Sequence, residues 1–327
     1  MNRFAAALAA MVCFGRISGA AVLSYSDLIY PAPCEGLFLC TSARDINNRG
    51  VIVGSVGGFG FLWEGGVYQR LDYPGASATS LEAINDLGQV VGNASVGGRS
   101  VAFTYRGGTF TEIRYPGAAS TSVYGINNTG QIVGGISDSP FAINGVNDQR
   151  EGFVYQDGGF RLVDYPGADH TAITGINDSG QMVGWFLHEW DAFGGFLYDR
   201  AAFVPILGRP CCDSHYPEDI NNRGVIAGWE DFSEEWYAFL YHAGAFTSVE
   251  LAGTDPARTN GPDPLHTHAF GINDAGQIVG DYWLARDGAM DQRGFVTSTP
   301  EPAGIVLALS GFATLGVMRV RRVRRTR

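Results

Sequence analysis

The sequence predicts an all-β protein built as a closed ring of six repeated units, a six-bladed β-propeller. One signature, Ile-Asn-Asp/Asn-x-Gly-x-apolar-Val/Ala-Gly, occurs six times, and each copy has room for four short strands. The strand that the last copy lacks occurs before the first copy. Glycine supplies 46 of 327 residues and only 17% of residues are charged, which favours short strands and tight turns over amphipathic helices.

The repeat signature begins at Ile46, Ile84, Ile126, Ile176, Ile220 and Ile272. A second signature follows, as in Gly60–Ala76 (GFLWEGGVYQRLDYPGA), with an aromatic strand, a glycine turn and a strand ending in Asp-Tyr-Pro. We interpret each unit as strands A to D. Asn, Asp and Gly make the turn from A to B, because they tolerate turn geometry and positive φ. The proline after strand D has no backbone donor and ends that strand.

The ends of the array predict that the ring is closed. The sixth unit has strands A, B and C but stops at Pro300 without strand D, whereas Tyr25–Pro31 imitates the missing strand. A last unit that takes its outer strand from the N-terminal segment leaves no open edge. The predicted ring spans residues 24–297. An open β-solenoid is the alternative, although a linear stack has no need of permuted ends.

The repeats resemble the extracellular repeats of the HAF family, named for a His-Ala-Phe before a Leu-Trp/Tyr strand and followed by an Ile-Asn-x-x-Gly-x-Val-Val-Gly segment. The corresponding positions read Tyr-Ala-Phe-Leu-Tyr at Tyr237–Tyr241 and Val-Ala-Phe at Val101–Phe103. The family's usual Gly-Thr-Leu-Gly-Gly is replaced by Asp-Tyr-Pro-Gly-Ala. The resemblance covers about residues 24–297, implies an exported surface or matrix protein, and supplies no catalytic residues.

Residues 1–20 are predicted to be a secretory signal. Arg3 gives the positive start, Phe4–Phe14 is an apolar run, and Ser18–Ala20 is a small-residue cleavage site. Arg16 within the cleavage region leaves an uncleaved anchor as the alternative.

The C-terminal residues 299–327 predict a membrane-associated tail. Residues 303–318 carry no charge, and at about 1.5 Å per residue a helix there spans about 24 Å, enough for a short transmembrane helix in a locally thinned bilayer. The Arg-rich segment 319–327 is expected to stay cytoplasmic.

This tail resembles the PEP-CTERM sorting signal of Gram-negative bacteria that make extracellular polysaccharide. The residues that carry the resemblance are Pro300, Glu301 and Pro302, followed by the apolar helix and basic residues that include Arg321 and Arg322. The resemblance implies an exosortase partner that cuts at or near Pro-Glu-Pro. The body is then anchored in the inner membrane before processing and reaches the cell surface or the extracellular space afterwards. A plain single-pass anchor is the alternative.

Charge separates the body from the ends. Between the signal and the Arg-rich segment 319–327, over residues 21–318, the chain has 14 Arg against 33 acidic residues, a net charge of -19. Such a body should repel nucleic acid and anionic lipid.

Four cysteines remain after the signal: Cys34, Cys40, Cys211 and Cys212. An even number suits an oxidising compartment, and four cysteines allow three pairings. The short sequence gap favours Cys34 with Cys40, which leaves the vicinal pair either bonded in a strained ring or reduced. No zinc-type spacing is present.

The connections from B to C and from D to A should lie on one face of the ring, and they carry most of the chemically interesting residues. The candidate ligand-binding residues are Trp185, Trp190, Trp229, Trp236, Trp283, Glu189, Glu230 and Asp281. Exposed aromatic rings beside carboxylates suit a sugar, because apolar sugar faces stack on rings and carboxylates accept hydroxyl hydrogen bonds. The alternative, which we favour, is that these tryptophans pack loop hairpins onto the sheets.

No metal, cofactor or enzyme chemistry is predicted. His266 and His268 could form half of a metal site, but a solvated pair is favoured, and the acidic loop Asp138–Glu151 lacks the order of a calcium loop. Motifs for serine hydrolases, zinc proteases and P-loops are absent, and no carboxylate stands in an apolar setting that would raise its pKa. The predicted function is non-catalytic binding of polysaccharide or another surface partner. A carbohydrate-active enzyme, glycosidase or lyase, and a purely structural matrix component are the alternatives.

Overall fold

The structure, a computed structural model, describes residues 20–30, 41–138, 151–188, 192–206, 214–232, 235–251, 264–286 and 289–298. The predicted signal up to residue 19, the sorting tail 299–327, all four remaining cysteines, Glu189 and Trp190 lie outside the described residues. Within the described residues, no helix has the length and apolar character that a membrane span requires.

Two strands precede the first unit, and each described unit follows the predicted order of strands. The leading strands are β1 (Ala20–Leu23) and β2 (Tyr25–Leu28). Unit 1 contains β3 (Thr41–Ile46), β4 (Ile52–Val56), β5 (Phe59–Glu64) and β6 (Val67–Arg70). Unit 2 contains β7 (Ala78–Ile84), β8 (Val90–Val96), β9 (Arg99–Arg106) and β10 (Thr109–Ile113). Unit 3 contains β11 (Ser120–Ile126), β12 (Ile132–Ser137), β13 (Glu151–Gln156) and β14 (Gly159–Val163).

The later units follow the same order of strands. Unit 4 contains β15 (His170–Ile176), β16 (Met182–His188), β17 (Ala192–Asp199) and β18 (Ala202–Ile206). Unit 5 contains β19 (Ser214–Ile220), β20 (Ile226–Phe232), β21 (Glu235–His242) and β22 (Ala245–Leu251). Unit 6 contains β23 (Pro264–Ile272), β24 (Ile278–Arg286) and β25 (Ala289–Thr297).

The N-terminal strand completes unit 6, as the sequence predicted. β2 pairs antiparallel with β25, with Tyr25 opposite Thr297 and Leu28 opposite Gly294. β1 pairs in parallel with the outer edge of unit 5, strand β22. The N-terminal segment therefore covers one sheet edge and supplies the missing strand of another, which removes two sites of unwanted strand pairing.

The number of separate sheets differs from six. Units 1 to 4 each form a separate four-stranded sheet, but units 5 and 6 belong to one nine-stranded sheet together with β1 and β2. A single parallel pair between Trp236 and His266 joins β21 to β23. The six predicted blades are therefore corrected: the described strands form four separate four-stranded blades and one nine-stranded sheet, because a backbone pair joins units 5 and 6.

The units nevertheless form a closed ring. The first strand of each unit contacts the first strand of the next, in the order β3, β7, β11, β15, β19, β23 and back to β3. Apolar clusters fill the spaces between neighbouring sheets, such as Ala83 and Val91 of unit 2 against Val123 and Ile126 of unit 3. Contact between the last and first units excludes the open solenoid. The described strands therefore form an all-β propeller-like fold.

Glycine at the end of the repeat signature permits the tightest packing in each unit. A Cβ on Gly134 would overlap the carbonyl oxygen of Ser122 and the ring of Phe153, which is fully buried. The same glycine and phenylalanine recur as Gly54 and Phe61, Gly92 and Phe103, Gly184 and Phe196, Gly228 and Phe239, and Gly280 and Phe295. Only glycine lets the phenylalanine of the third strand lie against the backbone of the first.

The Asp-Tyr-Pro-Gly-Ala segment has a structural task in this chain. In three units the tyrosine backbone N–H donates to a threonine hydroxyl six residues later, Tyr73 to Thr79 at 3.1 Å, Tyr115 to Thr121 at 2.9 Å and Tyr165 to Thr171 at 3.1 Å. This bond fixes the crossing from one unit to the next, because the threonine lies on the first strand of the following unit.

Candidate functional site

Six asparagine turns form one end of the ring, which we call the turn end. Each asparagine donates from Nδ2 to the backbone carbonyl of the next asparagine, at 3.0–3.3 Å. The sequence of donors is Asn47, Asn85, Asn127, Asn177, Asn221 and Asn273, and Asn273 donates back to Asn47. The same side chains accept backbone N–H groups of their own turns through Oδ1, as Asn47 does from Arg49 and Val51.

A second ring lies beside the first, one residue further along each turn. Its members alternate in chemistry: Asn48, Asp86, Asn128, Asp178, Asn222 and Asp274. Each aspartate accepts both neighbouring asparagine Nδ2 groups at Oδ2, and each backbone N–H donates to the next side chain around the ring. Every donor in this ring meets an acceptor, so the turn end is a rigid closure.

A cavity of about 80 Å³ lies on the axis, between the first strands of all six units. Each first strand has a β-bulge two residues before the signature isoleucine. The bulged residues all line the cavity: Arg44, Glu82, Tyr124, Thr174, Glu218 and Phe270. Bulges re-aim side chains, and here they bring six different side chains from six distant segments to one place, which we call the bulge layer.

Arg44 is the cation of the bulge layer. Its Nε lies 3.5 Å from Oε2 of Glu82, and its guanidinium carbon lies 4.5 Å from the ring centre of Phe270. The carboxylate and the ring face both favour the positive charge, so Arg44 is held on the side of the cavity formed by units 1, 2 and 6.

Glu218 is the carboxyl of the bulge layer that lacks a direct ion pair among the described residues. Its Oε1 accepts a hydrogen bond of 2.8 Å from Nε1 of Trp229. Burial raises the pKa of Glu218 to about 7, although the charges of Arg44 and His268 and the bond from Trp229 oppose that shift. The carboxyl is therefore desolvated and close to half-protonated at neutral pH.

A histidine and an aspartate form a buried pair above the bulge layer. Nδ1 of His268 lies 2.7 Å from Oδ1 of Asp281, and Nε2 of Gln292 donates to Oδ2 of the same carboxylate at 2.6 Å. His268 and Asp281 are opposite each other on β23 and β24. Because Asp281 holds one ring nitrogen, Nε2 of His268 is the nitrogen left for other partners, and the described residues give it no hydrogen bond.

Aromatic rings enclose His268. Phe270 and Trp236 stack near its two faces, with ring centres at 5.3 and 5.0 Å, and Trp229 meets it edge-on at 4.9 Å. Tyr216 stacks on Trp229 at 3.8 Å with an interplanar angle of 7°. The axial site is defined here as Arg44, Glu82, Glu218 and Phe270, which line the cavity, together with the adjoining Trp229, Trp236, His268 and Asp281, which do not line it.

Two further carboxyls lie between the bulge layer and the turn end. Oδ1 and Oδ2 of Asp219 accept the backbone N–H groups of Ile220 and Ile272, at 2.7 and 2.9 Å. Burial raises the pKa of Asp219 to about 6, and burial together with the charge of Asp219 raises the pKa of Asp45. The prediction that no carboxylate has a raised pKa is therefore wrong, because the first strands enclose these carboxyls in a way that only the ring creates.

Three predicted binding residues are buried, which corrects the expectation of an exposed platform. Trp185 is only 4% exposed and stacks on Phe193 at 5.2 Å. Glu230 and Asp281 are each 1% exposed, and Oε2 of Glu230 lies 3.4 Å from Nε2 of His215. Trp185 can be buried because it stands opposite Ala172, whose small side chain leaves room for the indole.

The other described tryptophans are half-buried. Trp229 and Trp236 belong to the axial site, whereas Trp283 lies opposite His266 and its Nε1 is buried without a hydrogen-bond partner among the described residues. His266 and His268 both contact Trp236, with ring centres at 4.2 and 5.0 Å. The described residues contain no group of three ligands for a metal ion.

Sequence reasoning missed Arg44, Glu82, Glu218 and the two half-buried aspartates, Asp45 and Asp219. A signal was available, since the residue two positions before the signature isoleucine has five identities in six units, with only Glu occurring twice, while the isoleucine and asparagine are repeated six times. A position that varies this much beside a repeated scaffold is where a site-specific role is expected.

No protein-family model matches the chain, and no curated protein matches it. Solved structures do resemble it. A TolB-type protein from Agrobacterium tumefaciens has a TM-score of 0.50 at 12% identity, over 64% of this chain and 80% of that chain. AofleA from Arthrobotrys oligospora has a TM-score of 0.49 at 12% identity, over 87% and 94% of the chains. A gluconolactonase from Xanthomonas campestris has a TM-score of 0.48 at 14% identity, over 88% and 99%. At such identities the likeness concerns fold alone.

Proposed function

We propose that the protein is an exported, six-bladed propeller that binds extracellular polysaccharide at the axial site without catalysing a reaction. In this proposal the nine-stranded sheet counts as two blades that share one backbone pair. One observation carries the binding site: two rings of repeated hydrogen bonds fix the turn end, while the opposite part of the same six strands gathers side chains of five types, of which only glutamate occurs twice. A rigid scaffold with one non-repeating, polar and aromatic concavity suits a ligand.

The residue types of the axial site support a sugar as that ligand. Trp229 and Trp236 are half-buried rings, Nε1 of Trp229 donates to Glu218, and Glu218 and Glu82 both line the axial cavity. Rings stack on the apolar faces of sugars, and carboxylates accept their hydroxyl hydrogen bonds. In this proposal the sugar contact therefore lies near the axis of the ring and not on the outer loops.

The experiment is an oligosaccharide array that covers neutral, amino and acidic sugars, probed with the full chain in detergent. We expect binding that Trp229→Ala reduces at least tenfold. Trp63→Ala, a half-buried tryptophan on β5 of unit 1, is the matched control and should leave binding unchanged. Absence of binding to every sugar class, or equal loss in both variants, would overturn the proposal.

A carbohydrate-active enzyme is the second candidate, favoured by the hydrogen bond between His268 and Asp281 and by the raised pKa of Glu218. A base oriented by a carboxylate beside an acid with a pKa near neutrality is an arrangement that acid–base catalysis uses. Mass spectrometry of the bound oligosaccharides distinguishes the two functions. Intact oligosaccharides after prolonged incubation support binding, and shortened or unsaturated products support the enzyme.

We also propose that an exosortase processes the chain at or near Pro300–Pro302. The support is the order of Pro-Glu-Pro, an uncharged segment and terminal arginines in the sequence. In a host that has an exosortase, the mature C-terminus is expected near residue 300, and Glu301→Ala should leave a full-length, membrane-bound chain. A full-length C-terminus in the unaltered protein would contradict processing and leave a plain anchor.

A further inference from the structure

Charge at the axial site is strongly unbalanced. The carboxyls of Glu82, Glu218, Asp45 and Asp219 line the cavity, and Arg44 is the one Arg side chain among the lining residues. Arg44 is already engaged by Glu82 and Phe270. The protein between its two terminal segments adds a net charge of -19. A cation is therefore attracted to the axis, and an anion such as a uronate is repelled.

The aromatic rings strengthen the same preference. The face of Phe270 already holds one cation, the guanidinium of Arg44, at 4.5 Å. Trp229 and Trp236 offer larger rings beside Glu218, and tryptophan is the side chain whose face attracts cations most strongly. Glu218 accepts a hydrogen bond from Trp229, and the charge of Arg44 acts on its carboxyl without a direct ion pair among the described residues.

The size of the cavity limits what can enter. Pockets for whole small molecules are several hundred Å³, whereas this one is about 80 Å³. That volume admits a compact polar group and excludes a complete sugar ring. An ammonium group is compact and offers three donors, which matches the free oxygen of Glu218 and the nearby carboxyl of Glu82.

We infer that the axial site binds a protonated amino sugar, with the ammonium group directed toward Glu218 and Glu82 and the sugar ring held against Trp229 and Trp236. This inference rests on the proposed function and names its ligand class: a polysaccharide that contains free amino sugars. The ammonium adds a countercharge beside Glu218, whose carboxyl has no direct ion pair among the described residues.

The probes are glucosamine tetramer, N-acetylglucosamine tetramer and a uronate tetramer, measured by isothermal titration calorimetry with the full chain in detergent at pH 7. The two hexosamine probes differ in the charge and bulk of one nitrogen substituent, so they test the ammonium directly. We expect the glucosamine tetramer to bind at least tenfold more tightly than the N-acetylated tetramer, and the uronate tetramer not to bind. Raising the salt concentration should weaken only the glucosamine complex.

Variants assign the effect to the site. Glu218→Gln should weaken glucosamine binding about tenfold and leave N-acetylglucosamine binding unchanged, whereas Glu112→Gln, an exposed residue of β10 paired with Arg99, should change neither. Glu82→Gln is the second site variant if Glu218→Gln does not fold. Equal affinities for the two hexosamine tetramers would overturn the amino-sugar inference and leave sugar binding intact. No binding of any tetramer would overturn both.

Discussion

The turn end and the bulge layer lie on the same six strands, yet they are built in opposite ways. At the turn end every unit repeats one asparagine and one set of hydrogen bonds, so the ring closes on itself from Asn273 to Asn47. A few residues away, the six side chains of the bulge layer, from Arg44 to Phe270, are of five types, and only glutamate occurs twice. Closure needs identical interfaces, whereas recognition of an asymmetric ligand needs different ones.

A second contrast, between small polar residues and aromatic or charged ones, separates units 1 to 3 from units 4 to 6. Nine residues after the signature isoleucine, units 1 to 3 have Ser55, Asn93 and Gly135, and units 4 to 6 have Trp185, Trp229 and Asp281. The residues opposite them on the first strands are Ser42, Ser80, Ser122, Ala172, Tyr216 and His268. Small polar pairs stand in one half, and aromatic or charged groups in the other, so the axial site lies off-centre toward units 5 and 6.

The largest expected effect is at the turn end. Asn177→Ala removes the bonds to the backbone of Ser179, Gln181 and Asn221 and leaves buried groups unsatisfied. We expect a loss of about 3 kcal/mol in the free energy of unfolding, measured by chemical denaturation.

Asn93→Ala, on strand β8 of unit 2 and outside the turn end, is the matched comparison for Asn177→Ala. Asn93 is as buried as Asn177 but makes two bonds, both to the backbone of Val123. We expect about half the loss seen for Asn177→Ala. Equal losses would mean that the turn end has no special share in closure.

An intermediate loss of stability is expected when a charge is added to the second ring of the turn end, in which asparagine and aspartate alternate. Nδ2 of Asn128 lies 3.0 Å from Asp86 Oδ2 and 2.9 Å from Asp178 Oδ2. Asn128→Asp sets three carboxylates side by side, and we expect a loss of about 2 kcal/mol at pH 7 that decreases at high salt or at a pH that protonates carboxylates. Asn128→Ala removes the same bonds without repulsion. If its loss equals that of Asn128→Asp, charge has no part in the effect.

The smallest effect has the opposite sign and belongs to the bulge layer. Because the pKa of Glu218 is raised to about 7 in the folded chain, the folded state binds a proton more tightly than the unfolded state. Stability from this group is full at low pH and falls as pH rises through the range from about 4.5 to about 7. Glu218→Gln should therefore raise the free energy of unfolding by about 1 kcal/mol at pH 8 and change it little at pH 4.

Glu112→Gln controls for the loss of one surface charge and should leave the pH profile unchanged. Parallel pH profiles for the unaltered protein and Glu218→Gln would contradict the assignment of this titration to Glu218. Together with the turn-end variants, this result tests two statements. The turn end increases the free energy of unfolding, and the bulge layer lowers it in exchange for a binding site.

Much of the fold could be predicted because its signals are local and repeated. The asparagine–glycine turns, the alternating apolar strands and the tyrosine-proline strand ends recur in each copy, and Tyr25–Leu28 imitates the strand that unit 6 lacks. The pairing of β1 with β22 could not be predicted, because Ala20–Leu23 resembles no repeat strand and its position depends on β2 beside it. The joined sheet of units 5 and 6 likewise depends on one pair, Trp236 and His266.

The predicted binding residues differ in whether their side chains are buried in the structure. Trp185 and Trp229 occupy equivalent positions in the repeat, but Trp185 faces Ala172 and packs as a core residue, whereas Trp229 faces Tyr216 and reaches Glu218. The repeat pattern fixes the strand position of a residue and carries no information about the size of its neighbour across the sheet. That neighbour lies on the first strand of the same unit, about a dozen residues away in the sequence. The bulge in this strand determines which of its residues stands opposite the tryptophan.

The amino-acid sequence by itself determined the six units, their four-strand order, the N-terminal strand of unit 6 and the asparagine turns, because each follows from turn chemistry and periodicity within about 50 residues. Only the tertiary structure decided that Arg44, Glu82 and Glu218, from units 1, 2 and 5, meet on one axis. A bulge in each first strand turns these side chains inward, and closure of the ring brings segments more than 170 residues apart to within contact of one another. The raised pKa of Glu218 exists only because that ring removes its carboxyl from water.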